Sequence, residues 1–403
     1  MRNCSDDFAR EVRLRVIVLM YADFGFHRGK GIEAYYTAKE AWKKGYLWEV
    51  IARDKIKGGL DFDLSLVETA IPLGNVIPRA FVAIERYVIK RFPSRLLGEI
   101  LFDSWASHRL GKGDILYSPP RMVASLTRAK ELGFVTALHC GELHPKWNLR
   151  MLQEEYSKLG MDTASPSWAK SMMDRYLESI KKADYLVVHS GFSKQTYING
   201  GCPEDRILVN PLGVDLQRFQ PIFTKDHSAI KYLFVGDMSI VKGVHYLLEA
   251  WQQLGLDGAK LTMCGTIHRD MQAIVARYRS QMDNIECPGY VDPAEYYQRS
   301  SVFVFPSLSE GFSKVVVEAM ASGLPVIVTP PAAEAVRDGE DGFVIPSGDV
   351  EALKNKIMYF YNNRDEIERM GRNAREQAER YSWDAYSKRT VRILEDIWER
   401  ESR

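Results

Sequence analysis

Short apolar runs that end in loops, each followed by a stretch with helical spacing, recur along this chain in two series. No other feature restricts its fold as much. Val16-Ile17-Val18-Leu19-Met20 is the first run, short and β-branched, as expected of a parallel strand buried on both faces. Gly29-Lys30-Gly31 follows, then Ile32 to Lys44 with helical spacing closed by Gly45, then the next strand at Trp48-Glu49-Val50-Ile51-Ala52. Gly113 to Tyr117, Gly133 to Leu138 and Ala183 to Val188 repeat the pattern. Asn210-Pro211-Leu212-Gly213-Val214-Asp215 is rich in turn formers and marks a boundary. A second series then runs through Lys231 to Val235, Lys260 to Cys264, Val302 to Phe305 and Pro325 to Val328. Strands alternating with helices, twice over, predict an α/β protein of two Rossmann-like, doubly wound parallel-sheet domains, 1–212 and 213–381. Ligands of such sheets sit beyond the carboxyl ends of the strands, so two sheets place the site in a central cleft between them.

Length agrees, since 403 residues are too many for one ordinary domain. A formal net charge of +1 argues against a dedicated nucleic-acid binder, which carries a strong basic excess. The five cysteines, Cys4, Cys140, Cys202, Cys264 and Cys287, are scattered and odd in number. That predicts reduced thiols in a cytosolic compartment rather than disulfides or a zinc site. The charged start of the chain and the shortness of Val16–Met20 predict neither a signal peptide nor a membrane span. The expected localisation is cytoplasmic.

The richest stretch is Phe305-Pro306-Ser307-Leu308-Ser309-Glu310-Gly311-Phe312-Ser313-Lys314-Val315-Val316-Val317-Glu318. A strand ends at Phe305, and a helix starts near Ser313. The backbone amides of Gly311, Phe312 and Ser313 at that helix N-terminus form an anion site suited to a diphosphate. Carboxylates beside such a site, at Glu310 and Glu318, make sense when they meet hydroxyls, to which they form charge-assisted hydrogen bonds. A loop residue and a helix-dipole partner would explain the same two glutamates.

This stretch and its continuation, Ala319-Met320-Ala321-Ser322-Gly323-Leu324-Pro325-Val326-Ile327 and Gly339-Glu340-Asp341-Gly342-Phe343-Val344-Ile345-Pro346, resemble glycosyltransferase family 4 and its E-x7-E signature. The resemblance covers the C-terminal half strongly and the N-terminal half in patches. It implies the GT-B fold and a retaining mechanism. It implies that Glu310 holds the hydroxyls of a donor sugar, that Glu318 holds the ribose diol, and that the Phe312 and Ser313 amides face the phosphates. Gly236 to Gly243 resembles the family's phosphate-clamping loop, in which Lys242 matches while Asp237 stands where an arginine is usual. Tyr290 and Val291 occupy the place where backbone groups cradle the nucleobase. Gly31 corresponds to the family's N-terminal glycine pair, with Lys30 replacing the other. His139, at the end of a strand, corresponds to a histidine that reaches the donor sugar or acceptor. The last helix, within 382–403, is expected to cross back onto the N-terminal domain.

A dehydrogenase fingerprint at Gly29–Gly31, with Asp54 as ribose acid, fails because about eight residues separate it from its strand, where a dinucleotide turn follows directly. His144 and Ser190 follow strands too, and Ser190 reads equally well as a helix N-cap. Phe81 to Gly113 combines apolar residues with Arg86, Lys90, Arg91, Arg95, Arg109 and Lys112 against three acids, a pattern suited to peripheral contact with an anionic membrane. A helix pair with one buried face explains it as well.

The expected reaction moves a sugar from a nucleotide-diphosphate donor to a hydroxyl of a saccharide or lipid-linked acceptor, with retention. Lys242 and backbone amides would steady the departing diphosphate. The reading needs no D-x-D motif of the metal-dependent transferases, so no metal and no separate cofactor are expected. A UDP-sugar such as UDP-glucose is the expected donor, because UDP is the commonest nucleotide in the resembling family; GDP- and ADP-sugars stay open. A sugar-nucleotide epimerase of the same fold and a silent donor-binding scaffold are the competing readings.

Overall fold

The computed structural model describes residues 14–24, 31–55, 63–70, 94–161, 167–222 and 229–402. Gly29, Lys30 and residues 81–93 of the basic segment lie outside them. The first sheet contains β1 (Val16–Phe24), β2 (Leu47–Lys55), β3 (Val67–Thr69), β4 (Ile115–Ser118), β5 (Val135–Cys140), β6 (Tyr185–Val188) and β7 (Ile207–Val209). Its spatial order is β3-β2-β1-β4-β5-β6-β7, parallel throughout. The second contains β8 (Ile230–Val235), β9 (Ala259–Cys264), β10 (Ile285–Gly289), β11 (Val302–Phe305), β12 (Val326–Val328) and β13 (Gly342–Val344), ordered β10-β9-β8-β11-β12-β13 and also parallel. Strand order reverses between β1 and β4 and between β8 and β11, and each reversal opens a crevice at the carboxyl ends.

The central strands are apolar on both faces because helices cover both. Every residue of β4, β6, β11 and β12 is buried. β3, β7, β10 and β13 escaped the sequence reading: β3, β7 and β13 have three residues each, too little periodicity to stand out from a loop, and β10 carries Glu286, Pro288 and Gly289 among its five.

The helix Trp383–Glu401 leaves the second sheet's domain and packs on the helix Gly31–Lys43, burying Val391, Leu394 and Ile397 against Ala34, Ala38 and Ala41. Ser382 caps it by accepting from the Ala385 amide, which fixes its start. Tyr36 stacks flat on Trp383 with centroids 5.0 Å apart. Gly213 must lack a side chain, because a Cβ would sit 2.6 Å from the Trp383 Cα where the two crossing strands of chain meet.

Among the described residues no helix is long and apolar enough to cross a membrane. In the described part of the basic segment, Arg109 pairs with Glu68, while Ile100 and Leu101 are exposed on the helix Ser94–Ser107.

That helix also carries Asp103, which caps a neighbouring helix from the side. Its buried carboxylate accepts from the Ala124 and Ser125 amides at 2.9 Å and pairs with Arg175 at 2.9 Å. Met122, at the N-cap position of the helix Val123–Glu131, supplies no such bond. Asp103→Ala leaves the two helix amides unpaired and takes the carboxylate away from half-buried Arg175, a loss of about 3–5 kcal/mol. The expected result is a melting temperature lower by on the order of 10 °C in a calorimetric scan.

Candidate active site

The loop after β11 turns sharply because the 240–243 turn presses against it. Gly243 has φ 65°, and a Cβ there would lie 2.0 Å from the Pro306 carbonyl oxygen. The Leu308 amide donates to the Val241 carbonyl at 2.8 Å. This contact carries Lys242 to Glu310, with Nζ 2.5 Å from Oε1. The Ser307 hydroxyl donates to the same oxygen at 2.8 Å. With Oε1 held by these two donors, Oε2 is the oxygen left for an incoming hydroxyl.

Ser313 is the N-cap residue of the helix Lys314–Ala321, and its side chain makes no cap bond. The adjacent Gly311 and Phe312 are buried beside it. Glu318 lies in the second turn and accepts from the Tyr297 hydroxyl at 3.1 Å, while burial raises its pKa. It borders a cavity of about 480 Å³ shared with Tyr290, Val291, Asp237, Lys314 and Arg218. Tyr290 is 72% exposed there, and the Arg218 Nη2 donates to both oxygens of Asp292 at 2.8 and 2.9 Å. Arg218 and Lys314 are cations that the sequence reading did not single out. Asp237 is exposed at the same cavity, so no cation replaces the usual arginine from its own position.

The first sheet faces this half closely. Gly311 has no room for a Cβ, which would meet the Gly141 carbonyl oxygen at 2.3 Å. Ser309 donates to the Asn148 side-chain oxygen at 2.6 Å, and the Gly191 amide donates to Glu334 at 2.8 Å. The helix Pro145–Lys158 reaches across through Glu155, which accepts from the Tyr246 hydroxyl at 2.6 Å, and through Tyr156, whose hydroxyl donates to Asp270 at 2.8 Å.

His139 sits near the end of β5, and its Nε2 lies 2.9 Å from the Glu33 carboxylate. Gly31 is the buried first residue of the helix that carries Glu33. Burial pushes the Glu33 carboxyl up, yet His139 and Lys314 outweigh it and hold the group down at about 2. His189, just past β6, has its ring 4.7 Å from that of His139. Burial lowers its pKa to about 3. The sequence reading missed both Glu33 and His189. His144 is buried behind Gly200 with its backbone amide on Thr196, and it borders a cavity shared with Leu308, Pro331 and Ser347 of the second half. Ser190 caps the helix Gly191–Asn199 by accepting from the Ser193 amide.

Glu33, His139 and His189 place potential ligand atoms within 4.8 Å of one another, a grouping able to hold a metal ion. Two features oppose a dication there. The carboxylate already contacts Nε2 directly, and the Lys314 ammonium lies 3.8 Å from its other oxygen.

Residues 229–363 match the family model described as "Glycosyl transferases group 1". The capsular polysaccharide biosynthesis glycosyltransferase CapM of Staphylococcus aureus is 33% identical over 215 residues, 49% of this chain and 57% of that protein. Across the first three curated relatives, all glycosyltransferases, the matched part of the chain spans 57–63% of their length. The structure resembles sucrose-phosphate synthase from Thermosynechococcus elongatus, with a TM-score of 0.67, 18% identity, and coverage of 96% of this chain and 99% of that one. It also resembles HepE of Anabaena in complex with UDP, with a TM-score of 0.64, 16% identity, and coverage of 95% and 100%. The fold is GT-B: two Rossmann-like parallel-sheet domains facing a cleft.

Proposed function

We propose that this chain is a retaining glycosyltransferase that moves a sugar from a nucleotide-diphosphate donor, preferably UDP-linked, to a hydroxyl of a saccharide or lipid-linked acceptor, without a metal ion. The observation that carries the reading is the Lys242–Glu310 pair beside a helix N-terminus that opens on the Glu318 cavity. The family match, and relatives acting in polysaccharide biosynthesis, support it. UDP is favoured by the UDP-bound structural neighbour and by the resemblance drawn from the sequence.

In this reading the base rests against Tyr290 and Val291, and the ribose diol donates to Glu318. The diphosphate lies before the amides of Gly311, Phe312 and Ser313. Glu310, steadied by Lys242 and Ser307, accepts from the donor sugar's hydroxyls. As the bond to the leaving oxygen lengthens, negative charge grows on the diphosphate, and Lys242 with the fixed amides stabilises it more than the ground state. Lys314 adds a second cation at the same helix end. Front-side attack suits the site, with the departing phosphate taking the acceptor's proton. The close approach of the two domains keeps out water that would hydrolyse the donor.

Thermal stabilisation in EDTA tests donor class and ribose site together. A ligand at one hundred times its Kd adds about 2.7 kcal/mol to stability. UDP and UDP-glucose are expected to raise the wild-type melting temperature more than GDP or ADP and their conjugates. Glu318→Ala removes charge-assisted bonds to the diol, about 1.5–3 kcal/mol, and most of the UDP shift with them. Equal UDP shifts in both proteins contradict the ribose assignment. No shift with any nucleotide contradicts a nucleotide-sugar site at this cavity.

A further inference from the structure

We propose that a pocket of the N-terminal domain, lined by His144, Lys146, Lys181 and Arg206, binds the phosphate group of a small phosphorylated ligand at a place distinct from the donor cavity. The inference stands apart from the glycosyltransferase reading, because this pocket shares no lining residue with the Glu318 cavity.

The pocket lies where the start of the helix Pro145–Lys158 meets the ends of the helices Ser167–Lys182 and Gly191–Asn199. Its volume is about 290 Å³, and Leu177, Ile180 and Leu186 give it an apolar wall. No acid lines it among the described residues. Acids of the adjoining segments are engaged elsewhere: Asp184 with Lys130 at 2.8 Å, Glu204 with Lys194 at 2.9 Å and Glu178 with Lys182 at 3.9 Å. Asp205 is exposed and outside the lining.

Three cations are left without a carboxylate. Arg206 donates through Nε to the Asp184 carbonyl oxygen at 2.7 Å and through Nη2 to that of Ala183. These neutral acceptors fix the plane of the guanidinium and leave its charge without a counter-ion. Lys146 and Lys181 are exposed and form no ion pair among the described residues. Lys146 stands in the first turn of a 14-residue helix, at the positive end of its dipole, a placement that an anion offsets.

His144 points to a ligand independently. It is the N-cap residue of that helix and makes no side-chain cap bond. The residue is 2% exposed, and its Nδ1 has no hydrogen-bond partner. Its ring fills the space beside Gly200, where a Cβ would lie 2.6 Å from Nε2, and Tyr197 packs on it edge-on with centroids 5.3 Å apart. Burial, helped by Lys146, holds its pKa down at about 4, so the neutral ring offers one N–H donor at pH 7. An oxyanion here meets that donor, a fixed guanidinium fork and two ammonium groups. Such a set suits the two negative charges of a phosphate monoester better than a single carboxylate.

The test follows His144 by histidine-selective NMR, with His144→Gln assigning the signal and UDP saturating the donor cavity. Inorganic phosphate, glucose 6-phosphate and glucose are titrated in at constant ionic strength. Both phosphate compounds are expected to move the His144 signals saturably and to raise its pKa by about one, since a nearby anion favours the imidazolium. Glucose is expected to leave them in place. Lys181→Gln, a change at an exposed side chain, weakens phosphate binding about 10-fold, and Arg206→Gln at least as much, while UDP affinity is unchanged in both. Tighter binding of glucose 6-phosphate than of inorganic phosphate assigns the group to a sugar phosphate; equal binding assigns it to free phosphate. Signals that stay still with both compounds, or that move as far with sodium chloride, overturn the inference. So does undiminished phosphate binding in Lys181→Gln. If UDP fails to bind, the donor reading falls instead, and the His144 signals still decide this pocket.

Discussion

Gly311→Ala is expected to lower kcat by about 100-fold while weakening UDP binding far less. A Cβ at this position would lie 2.3 Å from the Gly141 oxygen, 2.8 Å from its carbonyl carbon and 3.2 Å from the Glu142 Cα. All three are backbone atoms of the loop after β5, so no flexible side chain can yield. The clash therefore separates the two domains where the donor sugar is held. A misplacement of about 1 Å between reacting groups costs on the order of 100-fold, and an ajar cleft also admits water. The nucleotide pocket is built from the C-terminal half with Ile32, Tyr36 and Trp383, and keeps most of its walls. Steady-state kinetics beside a UDP thermal shift separates the two effects. Wild-type kcat in the variant would show that this contact is not part of the working state.

Lys242→Met is the second large effect, with kcat expected to fall by about 100- to 1,000-fold, the range for removing one preorganised stabiliser of developing charge. Two losses combine. The leaving diphosphate loses a cation, and Glu310 loses the partner at 2.5 Å that holds Oε1 in place. Lys242→Arg keeps the charge but not the compact ammonium geometry and recovers part of the rate. Glu310→Gln should lose a comparable factor. Because the residues act as a unit, the double variant Lys242→Met with Glu310→Gln should lose far less than the product of the single effects. Multiplicative losses would mean that the two side chains work independently.

What the sequence disclosed and what it hid follow from the reach of each interaction. Glu310, Gly311, Ser313 and Glu318 sit on one loop and the first turns of one helix, so spacing alone brings them together. Lys242 could be singled out because it precedes Gly243 in a loop that resembles a known one, although its meeting with Glu310 spans 68 residues. Glu33 was not singled out, since its partners His139, His189 and Lys314 come from three distant segments. Arg218 and Lys314 carried no mark in the sequence; both line the cavity beside Glu318. The fold was legible through its long buried strands, while the three-residue strands β3, β7 and β13 are defined by pairing rather than by composition.

The most direct test of the account incubates the protein in EDTA with UDP-, GDP- and ADP-hexoses and a panel of saccharide and lipid-linked acceptors. Nucleotide release and the anomeric proton of the product are followed by NMR. The account predicts UDP release that depends on an acceptor, and a product with the donor's anomeric configuration. An inverted product, or a donor epimerised with no acceptor present, would contradict it.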